Sequence, residues 1–186
     1  MGRLVYSMLT SLDGYTEDAG GDFSWAMPDE EVHEAVNALA APLGTYLYGR
    51  KMYEVMTYWE TVDLTSEPAA VADWARQWRG AEKVVFSRTL KEPRSERTRI
   101  EREFDGEAIR QLKNSLPHDL CIAGPTLAAH ALRAGLVDEL QQVIFPMIVG
   151  GGRRFLPDDL RLDLTLLEER RFTKSGVVLL RYATRR

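Results

Sequence analysis

The sequence predicts a three-layer α/β domain whose central sheet is mostly parallel and finishes in antiparallel strands. Three observations carry this. Short, nearly unbroken apolar runs such as Leu4-Val5-Tyr6-Ser7-Met8-Leu9 suit strands covered on both faces. Such runs alternate with segments of helical period through most of the chain, the pattern of parallel strands joined by helical crossovers. After Val137 the alternation stops, and two long strands, 162–172 and 177–182, are joined by the turn Lys174-Ser175-Gly176.

Each element has its own local reason. Ser11-Leu12-Asp13-Gly14 ends the first strand, and Gly20-Gly21-Asp22 extends the loop behind it. Pro28 is expected to open a helix with Asp29, Glu30 and Glu31 in its first turn and Val32, Val36 and Leu39 on one face. Thr45-Tyr46-Leu47-Tyr48 reads as a second strand stopped by Gly49, followed by a short helix over about 51–58. Ser66-Glu67-Pro68 is expected to cap the next helix, with Val71, Trp74 and Trp78 along one face and Gly80 at its end. Lys83-Val84-Val85-Phe86-Ser87 is the third core strand, and the mixed charge run 94–103 is a solvated edge strand with its connections. Asp105 caps a helix that turns Ile109 and Leu112 inward. Cys121-Ile122-Ala123 then passes through Gly124-Pro125-Thr126 into a helix stopped by Gly135, and 140–145 is a strand that precedes the loop Gly150-Gly151-Gly152.

A chain of 186 residues is most simply one domain over 1–186. Folded, it buries about 70% of the surface its unfolded form exposes, so a core forms without staples. The net charge of −4 argues against a broad nucleic-acid footprint. Cys121 is the only cysteine, which excludes an intrachain disulfide and points to no oxidising compartment. Its apolar neighbours favour an inert buried thiol over a nucleophile. The expected setting is cytoplasmic, because the start has no signal-peptide pattern and no apolar run approaches the ~18 residues of a membrane span.

In parallel α/β sheets ligands gather beyond the carboxyl ends of the strands. Three core strands end there in suggestive residues: Gly49-Arg50-Lys51, Ser87-Arg88-Thr89 and Gly124-Pro125-Thr126. Glycine admits close backbone approach, the amides of a helix start favour anions, and Pro125 suits a first helical position. Arg50 and Arg88 would project from adjacent strand ends beside the Ser87 and Thr89 hydroxyls, a donor set suited to a phosphate monoester. A phosphorylated dinucleotide offers both a diphosphate and a 2′-phosphate, so the Gly-Pro-Thr turn and the arginine pair match its two anionic groups. Neither a G-x-G-x-x-G nor a Walker sequence is present.

Four strings, taken in order, resemble the dihydrofolate reductase-like family that includes the C-terminal reductase domain of the riboflavin-pathway deaminase-reductase. They are "SMLTSLDGY" (7–15), "YGRKMYE" (48–54), "VVFSRTL" (84–90) and "AGPTLAAHALRAGLVDEL" (123–140). The resemblance spans nearly the whole chain and implies the dihydrofolate reductase-like fold. It also implies NADPH as cofactor and hydride transfer to a small pterin- or pyrimidine-like heterocycle, in the manner of 5-amino-6-(5-phosphoribosylamino)uracil reductase. By motif, Gly49, Arg50, Lys51, Ser87 and Arg88 would surround the adenosine phosphate, and Gly124, Pro125, Thr126 and Leu127 the diphosphate. Two departures loosen the riboflavin substrate assignment. Ile122-Ala123 stand where an acidic residue usually precedes a paired glycine whose second member is here Pro125, and Met52 replaces the usual threonine.

Reduction needs a proton as well as a hydride. Asp13 and Glu30 are the candidate catalytic carboxylates, the first in the loop after the opening strand and the second in "WAMPDEE", similar to the W-x-L-P-x-D of dihydrofolate reductases proper. Each has a plainer role available, Asp13 as a turn former and Glu30 as an acidic residue of a helix's first turn. Trp25 is a candidate stacking surface for a flat substrate, or else a core aromatic. His33, His118 and His130 lack ligand spacing, so no metal is expected. The long terminal strands and aromatic helices suit a homodimer. Dihydrofolate reductase itself, or a nucleotide-binding protein without turnover, are the alternatives.

Overall fold

The computed structural model describes residues 2–185. In chain order the elements are β1 (Leu4–Ser11), β2 (Tyr15–Glu17), α1 (Glu30–Ala40), β3 (Leu43–Gly49), α2 (Arg50–Met56), α3 (Tyr58–Thr61), α4 (Ala69–Gly80), β4 (Glu82–Phe86), β5 (Thr98–Glu101), α5 (Gly106–Ser115), β6 (Asp119–Ala123), α6 (Pro125–Arg133), β7 (Glu139–Phe145), β8 (Arg153–Arg154), β9 (Leu164–Arg171) and β10 (Val178–Thr184). Eight strands form one sheet in the order β5-β4-β3-β6-β1-β7-β10-β9. Neighbours from β5 to β7 are parallel, whereas β10 runs antiparallel to both β7 and β9. The expected architecture is therefore the observed one.

Alternation along the strands divides the core in two. Leu4, Tyr6, Leu47, Leu120 and Ile122 pack with Ile109 of α5 and Leu127, Ala131 and Leu132 of α6. On the other face Tyr46, Tyr48, Val85 and Cys121 pack with Tyr53 and Met56 of α2 and Trp78 of α4. Farther along that face, Val32 and Ala35 of α1 meet Val143 and Phe145. Trp78 is fully buried and donates its indole N–H to the Tyr48 hydroxyl at 3.1 Å. Its polar atom is thereby satisfied while its ring contributes on the scale of ~1.5–3 kcal/mol expected for a large buried side chain. Burial pushes the Cys121 thiol up to about 12, which fits an inert core residue.

Three local expectations need correction. Pro28 does not open α1: Asp29 is its N-cap, with a carboxylate accepting the Val32 N–H at 3.0 Å. Ser66 does not cap α4, because its hydroxyl donates to the Asp63 carbonyl in a preceding turn and Pro68 occupies the cap position. The loops after β1 and β7 are not merely irregular. They pair as the antiparallel β2–β8 ribbon, with Tyr15 opposite Arg154 and Glu17 opposite Arg153. The Arg154 guanidinium also lies 5.1 Å from the Tyr15 ring centre. This ribbon stands beside the carboxyl edge of the sheet, where the candidate residues converge.

Candidate functional site

The start of α6 is built by one glycine. Gly124 has φ +92° and ψ +116°, a conformation that side-chain-bearing residues rarely adopt, and its N–H points to the Met8 sulfur at 3.3 Å. A Cβ there would lie 3.1 Å from the Met52 Cβ. Pro125 follows at the first helical position, and Thr126 and Leu127 bring backbone N–H groups that have no intrahelical acceptor. Thr126 is exposed and Leu127 is buried, so the first presents its hydroxyl outward while the second anchors the turn.

The neighbouring strand end delivers cations. β3 lies beside both β4 and β6, and Gly49 passes directly into α2, whose first two residues are Arg50 and Lys51. A Cβ at Gly49 would be 3.9 Å from that of Leu127, so the two helix starts are adjacent. Arg50 donates through Nε to Glu54 Oε1 at 2.9 Å and through Nη1 to Thr89 Oγ1 at 2.7 Å. Lys51 donates to both Glu17 oxygens, at 2.9 and 3.0 Å. Arg153 reaches the same carboxylate through Nε at 2.8 Å and the Thr126 hydroxyl through Nη1 at 3.0 Å. The structure thus joins the ends of β3, β4 and β6 and the ribbon in one polar surface.

Not every expected residue behaves alike. Arg50 and Arg88 do not meet: the Arg88 side chain is 80% exposed and lies 3.8 Å from Glu103. The Ser87 hydroxyl is buried as a turn acceptor, taking the N–H groups of Thr89 and Leu90 at 3.3 and 3.0 Å. Thr89, held by Arg50, is the outward hydroxyl of that turn. Glu17, Arg153 and Arg154 went unnoticed in the sequence. The basic pair directly behind Gly150-Gly151-Gly152 was the available signal, but only the fold shows that it crosses to α6.

The candidate acids differ in surroundings. Asp13 accepts the N–H groups of Val149 at 3.2 Å and Gly150 at 2.8 Å, tying the β1 loop to the β7 loop. Hydrogen bonds, first from the Ser11 side chain and then from these amides, hold its carboxyl below the usual range. Glu30 is exposed in the first turn of α1, beside the cap residue Asp29. Trp25 is half-buried, its indole N–H donating to the Asp22 carbonyl at 3.1 Å and its ring meeting Phe145 edge-on at 6.5 Å. It therefore braces the loop before α1 at the end of β7. Among the described residues no group of three or more His, Cys, Asp or Glu is placed to hold a metal ion, and no helix is long and apolar enough to cross a membrane.

A cavity of about 160 Å³ lies at the opposite, amino edge of the sheet, lined in part by Arg3, Asp119, Gln141 and Arg181. Its charges are matched internally: Arg3 pairs with Asp119 and Glu139, and Arg181 with Glu139 and Glu168. At the other edge Arg88 is largely exposed, with only a long contact to Glu103, and the start of α6 is there too. The carboxyl edge is thus where the candidate residues gather.

The model of the RibD C-terminal domain matches residues 3–179. This chain belongs to the RibD C-terminal domain family. A relative within reach of sequence comparison is the uncharacterized protein YyaP of Bacillus subtilis (strain 168), 26% identical over 182 residues, 97% of this chain and 94% of that one. A solved putative riboflavin biosynthesis protein from Shewanella sp. PV-4 superposes with a TM-score of 0.77 at 20% identity, covering 100% of both chains. The deaminase/5-amino-6-(5-phosphoribosylamino)uracil reductase of Thermotoga maritima superposes with a TM-score of 0.69 at 15% identity, and this RibD-type chain spans 57% of it. At such identities these two likenesses speak for the fold.

Proposed function

We propose that this RibD-family protein is an NADPH-dependent reductase of a small pterin- or pyrimidine-like heterocycle. The observation that supports it most directly is the junction of α6, α2 and the ribbon. There Gly124 opens a helix start with no Cβ in the way, and Lys51 and Arg153 flank it. That donor set fits a diphosphate. Arg50, Thr89 and the largely exposed Arg88 beside Thr89 in the chain fit a 2′-phosphate. Gly49, Pro125, Thr126 and Leu127 shape the backbone between the two anion seats, and Ser87 holds the turn that presents Thr89.

Bound there, NADPH would supply the hydride. The protein's own residues would bind the phosphates, orient the nicotinamide toward the loops after β1 and β7, and deliver a proton to the reduced atom. Asp13 and Glu30 are the acids at that end, and Trp25 is the nearby aromatic surface. Leu12 and Ile148 are exposed near Asp13 (64% and 68%), an apolar flank suited to a flat heterocycle.

Calorimetric titration with NADPH, NADP⁺ and NADH tests this reading. We expect saturable binding with NADPH favoured over NADH, then NADPH oxidation with a dihydropterin or an aminouracil phosphate as acceptor. Absence of heat with NADPH and NADP⁺ at millimolar concentration would overturn it. Tight binding without oxidation by any acceptor would instead identify a nucleotide-binding protein.

A further inference from the structure

The cations beside the α6 start already have an anion. Glu17 is held in place by backbone: it lies opposite Arg153 in the β2–β8 ribbon, and a Cβ on Gly152 would collide with the Glu17 carbonyl oxygen. Its side chain is 14% exposed, while those of Lys51 and Arg153 are 62% and 43% exposed. Burial pushes the Glu17 carboxyl up, but hydrogen bonds from Lys51 and Arg153 outweigh it and leave the group below its ordinary value, hence ionised at neutral pH. One carboxylate oxygen accepts from both cations, at 2.9 Å from Lys51 Nζ and 2.8 Å from Arg153 Nε. Arg153 simultaneously reaches Thr126 at 3.0 Å, so the carboxylate and the helix start share a donor.

We propose that Glu17 is an internal competitor for the diphosphate: it holds Lys51 and Arg153 in position and gives them up, wholly or in part, when a diphosphate docks against α6. The proposal rests on the cofactor reading above. It adds that binding here is an exchange of anions, so that affinity is set below what the two cations alone would provide. Both pairs are partly exposed and individually weak, so the exchange is easy and the restraint modest. Glutamine at this position keeps the length and an acceptor oxygen for both cations but removes the charge, which separates competition from positioning.

The test titrates wild type and Glu17→Gln with inorganic pyrophosphate and, separately, with NADPH at low and high salt. Competition predicts about three- to tenfold tighter pyrophosphate binding in the variant, the scale expected from two partly exposed ion pairs. It also predicts a steeper fall of affinity with salt, because the cluster then carries one more uncompensated positive charge. The gain should vanish when Lys51→Met and Arg153→Met are added. Equal or weaker pyrophosphate binding in Glu17→Gln, no pyrophosphate binding by either protein, or a gain that survives loss of both cations would each overturn the proposal. Tighter pyrophosphate binding with no NADPH heat would retain the competition and remove the cofactor reading. NADPH binding without the pyrophosphate gain would do the reverse.

Discussion

Gly124 and Met52 approach so closely that a Cβ on the first would stand 3.1 Å from the Cβ of the second. Two helix starts, those of α2 and α6, are therefore packed edge to edge with glycine as the spacer. The φ of +92° at Gly124 adds a second reason against any side chain. Gly124→Ala should cost about 1–3 kcal/mol of stability, the range for a residue forced into a sparsely populated backbone region. It should also weaken NADPH binding through displacement of the Thr126 and Leu127 amides. Urea unfolding and calorimetry check both; an alanine variant with unchanged stability and affinity would remove Gly124 from the site.

Arg88 separates affinity from stability. Its side chain is largely in solvent and its contact with Glu103 is long, at 3.8 Å, so folding gains little from it. Arg88→Ala should leave the unfolding midpoint nearly unchanged. It should erode the preference for NADPH over NADH by about 1–3 kcal/mol, the worth of a charged hydrogen bond. Equal affinities for the two cofactors in both wild type and variant would defeat the assignment.

The architecture was legible because its signals are local. Apolar runs such as Leu120-Cys121-Ile122 and the Gly124-Pro125 start speak for themselves, and both are where the sequence puts them. The strand ends bearing Arg50, Thr89 and Thr126 were likewise identifiable, since a parallel sheet must bring its carboxyl ends to one edge. What escaped was pairing across distance. Glu17 and Arg153 are 136 positions apart, and neither has a local periodicity that announces the ribbon joining them. The pairing of Arg50 with Arg88 was not legible either: adjacency of two strand ends does not fix the direction of a long side chain, and here the two arginines lie beside different carboxylates, Glu54 and Glu103.

The two acids make different forecasts. Asp13 has its carboxylate committed to the Val149 and Gly150 amides, so Asp13→Asn should loosen the 147–150 loop and speed amide exchange at those residues. Glu30 is exposed and has no such duty. If Glu30 donates the proton, Glu30→Gln should lower kcat while leaving NADPH affinity intact. A full kcat in Glu30→Gln would return the role to Asp13 or to water.

Acid should attack the fold from the edge opposite the site. Asp119 accepts three hydrogen bonds from Arg3, from the backbone N–H at 2.7 Å, Nε at 3.0 Å and Nη2 at 2.6 Å, pinning the starts of β1 and β6 together. Burial pushes its carboxyl up, but the Arg3 bonds win and the folded value lies below the ordinary one. The folded state therefore binds fewer protons than the unfolded chain between those two values, and stability rises with pH across that window. The contribution is complete above the unfolded value of about 4 and is lost as pH falls through the folded value. Asp119→Asn should accordingly be less stable than wild type at neutral pH, with the gap closing in strong acid. Denaturant unfolding at a series of pH values measures it, and a gap that stays constant from neutral to strongly acidic pH would refute the charge-based origin. Because the pair sits at the amino edge, pyrophosphate affinity at neutral pH should be the same in Asp119→Asn as in wild type, which separates the scaffold's electrostatics from those of Lys51, Arg153 and Glu17.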